Sequence, residues 1–311
     1  MAVKGHLLDI DDLQREDLER ILETAHSFSE VLRRPIKKVP SLRGKTVVNL
    51  FYEPSTRTRL SFEVAAKRLS ADVLNFTASA SSVEKGESLK DTALTLRAMG
   101  VDAVIIRHPV AGAPWLLKRW LDVTVINAGD GMHAHPTQAL LDLFAMRERM
   151  KGLEGATIAY VGDILHSRVA RSGMKACRAM GMQVIAVAPP TLLPPAMPDY
   201  VEVSHSFDAV IPRCDVLYML RIQKERQQEA RFPTLEEYAR LYQLNRERLR
   251  KANPQVVVMH PGPMNRGVEI ASEVADAPHA AITTQVSAGV AVRMAVLFLL
   301  LGSGEGGGAL A

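Results

Sequence analysis

Short apolar runs alternate with helix-period patterns along most of this chain, and that alternation is the strongest constraint on its fold. Runs with turn-like flanks at residues 46–51, 73–76, 103–107 and 123–127 read as buried strands. Between them, residues 56–69, 88–99 and 113–120 place apolar side chains at helical spacing. An amphipathic pattern on Leu13, Leu18, Ile21, Leu22, Ala25 and Phe28 precedes the first strand, and a further helical pattern at 137–150 closes the set. After Lys151-Gly152 the alternation restarts, with strands at 157–161, 183–188, 216–220 and 256–260 and a helix at 167–180. Strands that alternate with helices are joined by crossovers, so each half predicts a parallel sheet flanked by helices. The expectation is an α/β protein of two similar domains, residues 1–150 and 151–285, with a final helix at about 286–301 that can pack on either one. Residues 189–198 read as a Pro-rich loop, and the Gly-rich residues 302–311 as a flexible tail.

Bulk composition narrows the function classes. A chain of 311 residues suits two domains and buries a large core without staples or metals. A net charge of +4 with no dense basic stripe argues against nucleic acid and favours small anionic ligands met by single basic residues. Cys177 and Cys214 belong to no CxxC pair or Cys/His cluster, so neither a metal site nor a disulfide framework is expected, and a reducing cytoplasm is the default. The first ten residues lack the apolar run of a signal peptide. The longest apolar stretch, 290–301, contains Arg293, is too short for a membrane span and reads as a buried core helix.

The most informative segment runs Phe51-Tyr52-Glu53-Pro54-Ser55-Thr56-Arg57-Thr58-Arg59-Leu60-Ser61-Phe62-Glu63, from a strand through a turn into a helix. A helix N-terminus offers unpaired N–H groups and the positive end of a dipole. Ser55, Thr56 and Thr58 add hydroxyls, and Arg57 adds a fork suited to phosphate oxygens. The result is a phosphate cradle without the glycines of a Walker loop; no GxxxxGK[ST] occurs, which disfavours ATP or GTP hydrolysis. The plainer reading is a capped helix with two solvated arginines.

This segment resembles the carbamoyl phosphate motif of the aspartate and ornithine carbamoyltransferase family. Three later segments match in the same order: Arg107-His108-Pro109 at a strand end, His135-Pro136-Thr137-Gln138-Ala139-Leu140-Leu141-Asp142 opening a helix, and His260-Pro261-Gly262-Pro263 at another strand end. The resemblance implies an active site in the cleft between two domains, with no cofactor or metal. Ser55, Thr56, Arg57, Thr58 and Arg107 would hold the phosphate of carbamoyl phosphate. Thr58, Arg107 and His135 would face its carbonyl oxygen, and Gln138 its nitrogen. Amine attack builds charge on that oxygen, so donors aimed there can supply several kcal/mol. A nearby arginine and the helix dipole favour a neutral His135.

The second substrate is decided in the C-terminal half. Ornithine enzymes typically carry H-C-L-P, whereas His260-Pro261-Gly262-Pro263 has no cysteine, and Arg221-Ile222-Gln223-Lys224-Glu225-Arg226 resembles the R-x-Q-x-E-R segment of aspartate enzymes. An arginine at 221 suits a dicarboxylate and repels an ornithine ammonium group. By resemblance, Arg168, Arg221 and Gln223 bind aspartate, with backbone contacts at Gly262 and Pro263, although several family members have leucine in place of Gly262. The implied reaction is carbamoyl phosphate plus L-aspartate giving N-carbamoyl-L-aspartate and phosphate, an early step of pyrimidine biosynthesis. The departing phosphate is a candidate proton acceptor.

Residues 77–88 are small and polar and read as a surface loop. The resemblance aligns Ser81 and Lys85 with loop residues that enter the neighbouring subunit's site, which implies a homotrimer with shared sites. Relatives assemble with separate regulatory chains or with dihydroorotase, or act as bare trimers. Residues 265–269 resemble bacterial relatives without the nucleotide-binding partner. Three rival readings stay in view: a carbamoyltransferase for another amino acid or amine, a non-catalytic scaffold, whose mark would be loss of the motif arginines or His135 that are present here, and a dinucleotide-binding protein. The last is opposed by the absence of a GxGxxG turn after residue 161.

Overall fold

The computed structural model describes residues 5–77, 87–223 and 234–302. They form two compact units. One holds the residues up to Leu140 together with those from Ala288 onward, and the other holds Leu141–Ser287.

The first unit contains α1 (Arg15–Arg33), β1 (Thr46–Phe51), α2 (Thr56–Arg68), β2 (Asp72–Thr77), α3 (Leu89–Ala98), β3 (Ala103–His108), α4 (Ala113–Trp120), β4 (Thr124–Asp130) and the start of α5 (Pro136–Arg149). Its four strands pair in the order β2-β1-β3-β4, every pair parallel. Central strands buried on both faces must be apolar throughout, and β1 is buried at every position after Thr46. Val48, Leu50, Val104, Ile106 and Val125 pack with Ala93 and Leu96 of α3 and Leu117 of α4. The 3.6-residue stripe of α1 buries Leu18, Ile21, Leu22, Ala25, Phe28 and Val31; Leu13 lies before the helix, at the end of a short 3-10 turn.

The second unit carries the rest of α5, then β5 (Thr157–Val161), α6 (Arg168–Ala179), β6 (Gln183–Val187), β7 (Val201–Ser204), α7 (Phe207–Val210), β8 (Val216–Met219), α8 (Leu235–Tyr242), α9 (Arg246–Lys251), β9 (Val257–Met259), α10 (Ser272–Ala275) and the start of α11 (Ile282–Leu301). Its sheet is also parallel, in the order β7-β6-β5-β8-β9. The expected fold class, parallel sheets flanked by helices in two units, is the one observed.

The final helix departs from its sequence reading. It starts at Ile282, earlier than 286, and its twenty residues have a mean hydropathy of 1.8, so length alone does not set it apart from a membrane span. Packing does: 56% of that apolar window is buried inside the protein. The Arg293 guanidinium lies 4.9 Å from the centre of the Phe62 ring, and Phe298 meets Phe28 edge-on at 5.6 Å.

Candidate active site

In an open parallel sheet, ligands bind beyond the carboxyl ends of the strands, where successive connections leave in opposite directions and a crevice opens. The strand orders place one such switch point in each unit: between β1 and β3 in the first, and between β5 and β8 in the second. Several of the residues singled out from the sequence lie on the segments that follow these four strands.

At the first switch point, β1 ends at Phe51 in register with Arg107 of β3, and the Tyr52 amide donates to the Arg107 carbonyl at 2.9 Å. The chain then turns into α2. Ser55 is the N-cap residue, in extended conformation, and its side chain makes no capping hydrogen bond. The first turn of α2 holds no acidic residue, so no side chain of that turn offsets its dipole. Thr56 and Arg57 are exposed on that turn, whereas Thr58 is buried. Arg107 donates from Nη2 to Glu53 Oε1 at 3.0 Å and from Nη1 to the Ala128 carbonyl at 3.4 Å. Glu53 thus holds the guanidinium at the end of its strand. The register between β3 and β4 shifts between Ile106 and His108, a bulge that re-aims side chains at the strand ends.

His135 arrives from the next loop and is only 4% exposed. That loop is held by Asp130, whose buried carboxylate accepts from the amides of Gly112 at 2.8 Å and Ala134 at 3.2 Å and from Asn127 Nδ2 at 2.8 Å. Gly131 must be glycine: its φ is +48°, and a Cβ there would sit 2.9 Å from the Ala111 nitrogen. The His135 carbonyl accepts from the amides of Gln138 and Ala139 at 3.0 and 3.3 Å. Proline at the first position of α5 leaves no amide unsatisfied there. The first unit therefore carries Arg107 at a strand end and Ser55, Thr56, Arg57, Thr58, His135 and Gln138 on the loops and helix starts that follow its strands.

At the second switch point, β5 pairs with β8 up to Val161 and Met219. Gly162 follows with φ +124°, and a Cβ there would meet Tyr238 Oη at 2.9 Å and the Leu220 carbonyl at 3.0 Å. Asp163 is fully buried. Its Oδ1 accepts the His166 amide at 3.2 Å and meets His166 Nδ1 at 2.8 Å, and its Oδ2 accepts the Gln223 amide at 3.4 Å. Gln223 Nε2 returns a bond to the His166 carbonyl at 3.3 Å. Ser167 caps α6 by accepting the Ala170 amide at 3.1 Å, and Arg168, the first residue of that helix, is 5% exposed. Arg221 and Gln223, both half-buried, follow β8. Gly262, with φ +65° and a cis bond to Pro263, follows β9.

Ser81 and Lys85 lie outside the described residues, as do 224–226 and the tail from 303. Cys177 and Cys214 are buried, and burial pushes each thiol up to about 12, which keeps both protonated and non-nucleophilic at neutral pH. Among the described residues no group of three or more His, Cys, Asp or Glu side chains could hold a metal ion. An open surface hollow of about 470 Å³, lined by Leu235, Arg240, Gln243 and Val268 among others, contains none of the residues singled out from the sequence. Glu53, Asp130 and Asp163, the acids that hold these loops, were not singled out from the sequence.

One parallel-sheet unit presents a helix N-terminus with hydroxyls and arginines, and the other an arginine at a helix start and another after a strand, groups of the class suited to phosphate and carboxylate ligands. Comparison with known proteins gives the family. Residues 5–148 match the aspartate/ornithine carbamoyltransferase carbamoyl-P binding domain, and residues 154–300 match the Asp/Orn binding domain. The chain belongs to the aspartate/ornithine carbamoyltransferase family. It is 58% identical over 301 residues to the aspartate carbamoyltransferase catalytic subunit of Acidothermus cellulolyticus, covering 96% of this chain and 93% of that one. Its structure is similar to that of Trypanosoma cruzi aspartate transcarbamoylase in complex with carbamoyl phosphate and aspartate, with a TM-score of 0.87 at 31% identity, covering 96% and 98% of the two chains. It is also similar to the catalytic subunit of M. Jannaschii aspartate transcarbamoylase, with a TM-score of 0.83 at 38% identity, covering 97% and 99%.

Proposed function

We propose that this chain transfers the carbamoyl group of carbamoyl phosphate to the amino group of L-aspartate, giving N-carbamoyl-L-aspartate and phosphate in the pyrimidine pathway. The observation that carries this reading is the second switch point: Arg168 opens the helix after β5, and Arg221 and Gln223 follow the adjacent strand β8. Two cations there fit a dicarboxylate and oppose a second ammonium group. The naming of the relatives and the T. cruzi complex support the same choice.

In this reading residues 1–150 bind carbamoyl phosphate and 151–285 bind aspartate. Ser55, Thr56, Arg57, Thr58 and Arg107 hold the phosphate, and Gln138 takes the carbamoyl nitrogen. The aspartate amine attacks the carbonyl carbon, and the C=O electron pair moves onto oxygen, where Thr58, Arg107 and His135 stabilise it. The carbonyl re-forms as the bond to the phosphate oxygen breaks. The amine proton leaves with the phosphate. Arg168, Arg221 and Gln223, with the backbone at Gly262 and Pro263, orient the amine. Catalysis is positioning and electrostatic stabilisation with no covalent enzyme intermediate. The decisive assay offers carbamoyl phosphate with L-aspartate or L-ornithine; consumption with aspartate alone is expected, and a preference for ornithine overturns the reading.

The assembly in this reading is a cytoplasmic homotrimer whose sites are shared, with Ser81 and Lys85 serving the neighbouring chain. Arg57→Ala and Lys85→Ala trimers should each be nearly inactive. Refolded as an equal mixture, about one quarter of sites should regain both wild-type residues, since random cyclic assembly gives one half times one half. No recovery, beside a refolded wild-type control that does recover, places Lys85 in its own chain's site.

A further inference from the structure

The second unit buries a carboxylate, Glu269, whose described side-chain hydrogen bonds go to His260 and Asn265 on the segment after β9. Glu269 and His260 are both wholly buried at the side chain, with Oε1 of Glu269 3.1 Å from His260 Nε2. The other ring nitrogen, Nδ1, accepts the Gly262 amide at 2.9 Å. A nitrogen that accepts an N–H carries no proton, so the hydrogen is on Nε2 and is donated to Glu269. The same Oε1 accepts the Asn265 amide at 2.6 Å, and Asn265 Nδ2 donates to the Ile222 carbonyl at 3.2 Å. Ile222 lies between Arg221 and Gln223. One carboxylate oxygen therefore ties together the turn containing Gly262 and the segment containing both aspartate-facing side chains.

The network continues to the underlying frame. The His260 amide donates to Gln285 Oε1 at 3.0 Å, Gln285 Nε2 to Asp142 Oδ1 at 2.7 Å, and Tyr218 Oη to Asp142 Oδ2 at 2.8 Å. Asp142 lies one helical turn beyond Gln138 on α5, and Tyr218 lies in β8, three residues before Arg221. Buried polar chains of this kind are costly when half satisfied and rigid when complete. A purely structural role would place such a chain anywhere in the core. Here two of its branches, at the Gly262 amide and the Ile222 carbonyl, reach the loops that carry the proposed ligand groups.

We propose that Glu269, acting through His260 and Asn265, is a positioning residue for the amino-acid substrate, fixing the Gly262 amide and the Ile222 carbonyl so that the Gly262–Pro263 backbone and the Arg221 and Gln223 side chains meet the ligand in one geometry. This rests on the proposed reading of those residues as aspartate-binding. Glu269 acts here as a hydrogen-bond acceptor, and an amide oxygen can replace it in that role.

The test compares wild type with Glu269→Ala, Glu269→Gln and Asn265→Ala, measuring KM for L-aspartate, KM for carbamoyl phosphate and the thermal midpoint of each. Misplacing a binding group by a fraction of an ångström is expected to raise the aspartate KM of Glu269→Ala about tenfold or more, with the carbamoyl phosphate KM within about threefold of wild type. Glu269→Gln should recover to within about threefold of wild type, and Asn265→Ala should raise the aspartate KM a few-fold, on the order of one lost hydrogen bond. A folded Glu269→Ala with an unchanged aspartate KM, or with both KM values raised together, overturns the proposal. So does a Glu269→Gln as impaired as Glu269→Ala. If Glu269→Ala does not fold, Asn265→Ala decides, and an unchanged aspartate KM there overturns the proposal. A wild type that does not carbamoylate aspartate defeats the proposed reaction and this inference together; a working wild type with indifferent variants defeats the inference alone.

Discussion

The two switch points begin alike and are finished differently. In each unit a central strand ends, the chain turns, and a serine stands at the N-cap of the next helix: Ser55 before α2, Ser167 before α6. Ser167 accepts the Ala170 amide, so its hydroxyl completes its own helix. Ser55 makes no such bond, so its hydroxyl is not committed to the first amides of α2. The first unit therefore presents a helix terminus, the arrangement suited to a phosphate. In the second, Ser167 caps one amide of that terminus, Arg168 is the first helical residue, and Arg221 and Gln223 follow the neighbouring strand. The two units thus share a scaffold and differ in whether the capping hydroxyl is engaged.

The largest test of that division falls on the first unit. If His135 serves the oxyanion, His135→Ala should lower turnover by about a hundredfold or more, the range for one lost oxyanion donor. Phosphate affinity should fall much less than in Arg57→Ala. The division breaks if His135→Ala turns over near normally, or if its main defect is in aspartate KM. On the second unit, Arg221→Ala should weaken use of aspartate by about 2 kcal/mol or more, roughly thirtyfold in kcat/KM, through loss of a charged partner in a half-buried place. Phosphate binding, followed by calorimetry, should be unchanged. A variant that loses phosphate affinity equally would mean that the two units do not divide the substrates.

Much of this frame is legible in the sequence. Strands β1 and β5 and helix α4 occupy the residues expected of them, 46–51, 157–161 and 113–120, because buried parallel strands are unbroken apolar runs and a helical stripe has a firm period. β7 was missed because it is an edge strand with only Val201 buried, so the run Val201-Glu202-Val203-Ser204 lacks that signal. α7 and α10, at four residues each, are too short to display any period. β4 runs on to Asp130 because Gly129 and Asp130 are held by side-chain bonds from Asn127, not by apolar content. The site residues stood out through short motifs. Their holders did not: Arg107 and Glu53 are 54 positions apart, and Asp163 and Gln223 are 60 apart. Such pairs form only when the sheet brings strand ends together, and no local pattern announces them.

The smallest effect is the most specific to the comparison, and it lies in the two serines. Ser167 is buried, and its hydroxyl satisfies an amide that would otherwise lack a partner, so Ser167→Ala should cost about 1 kcal/mol of stability, read as a lower denaturation midpoint with an unchanged slope. Ser55 has no capping bond to lose, so Ser55→Ala should leave the midpoint within about 0.5 kcal/mol of wild type. Binding should show the reverse order. Removing a hydroxyl that meets a phosphate oxygen should weaken inorganic phosphate binding by about 1 kcal/mol, roughly fivefold, in Ser55→Ala, whereas Ser167→Ala should bind phosphate as wild type does. The two measurements form a crossed design in which each variant is the control for the other. If Ser55→Ala proves the more destabilised and phosphate binding does not separate the two, the capping hydroxyl is not what distinguishes the switch points, and the difference must then lie in the arginines alone.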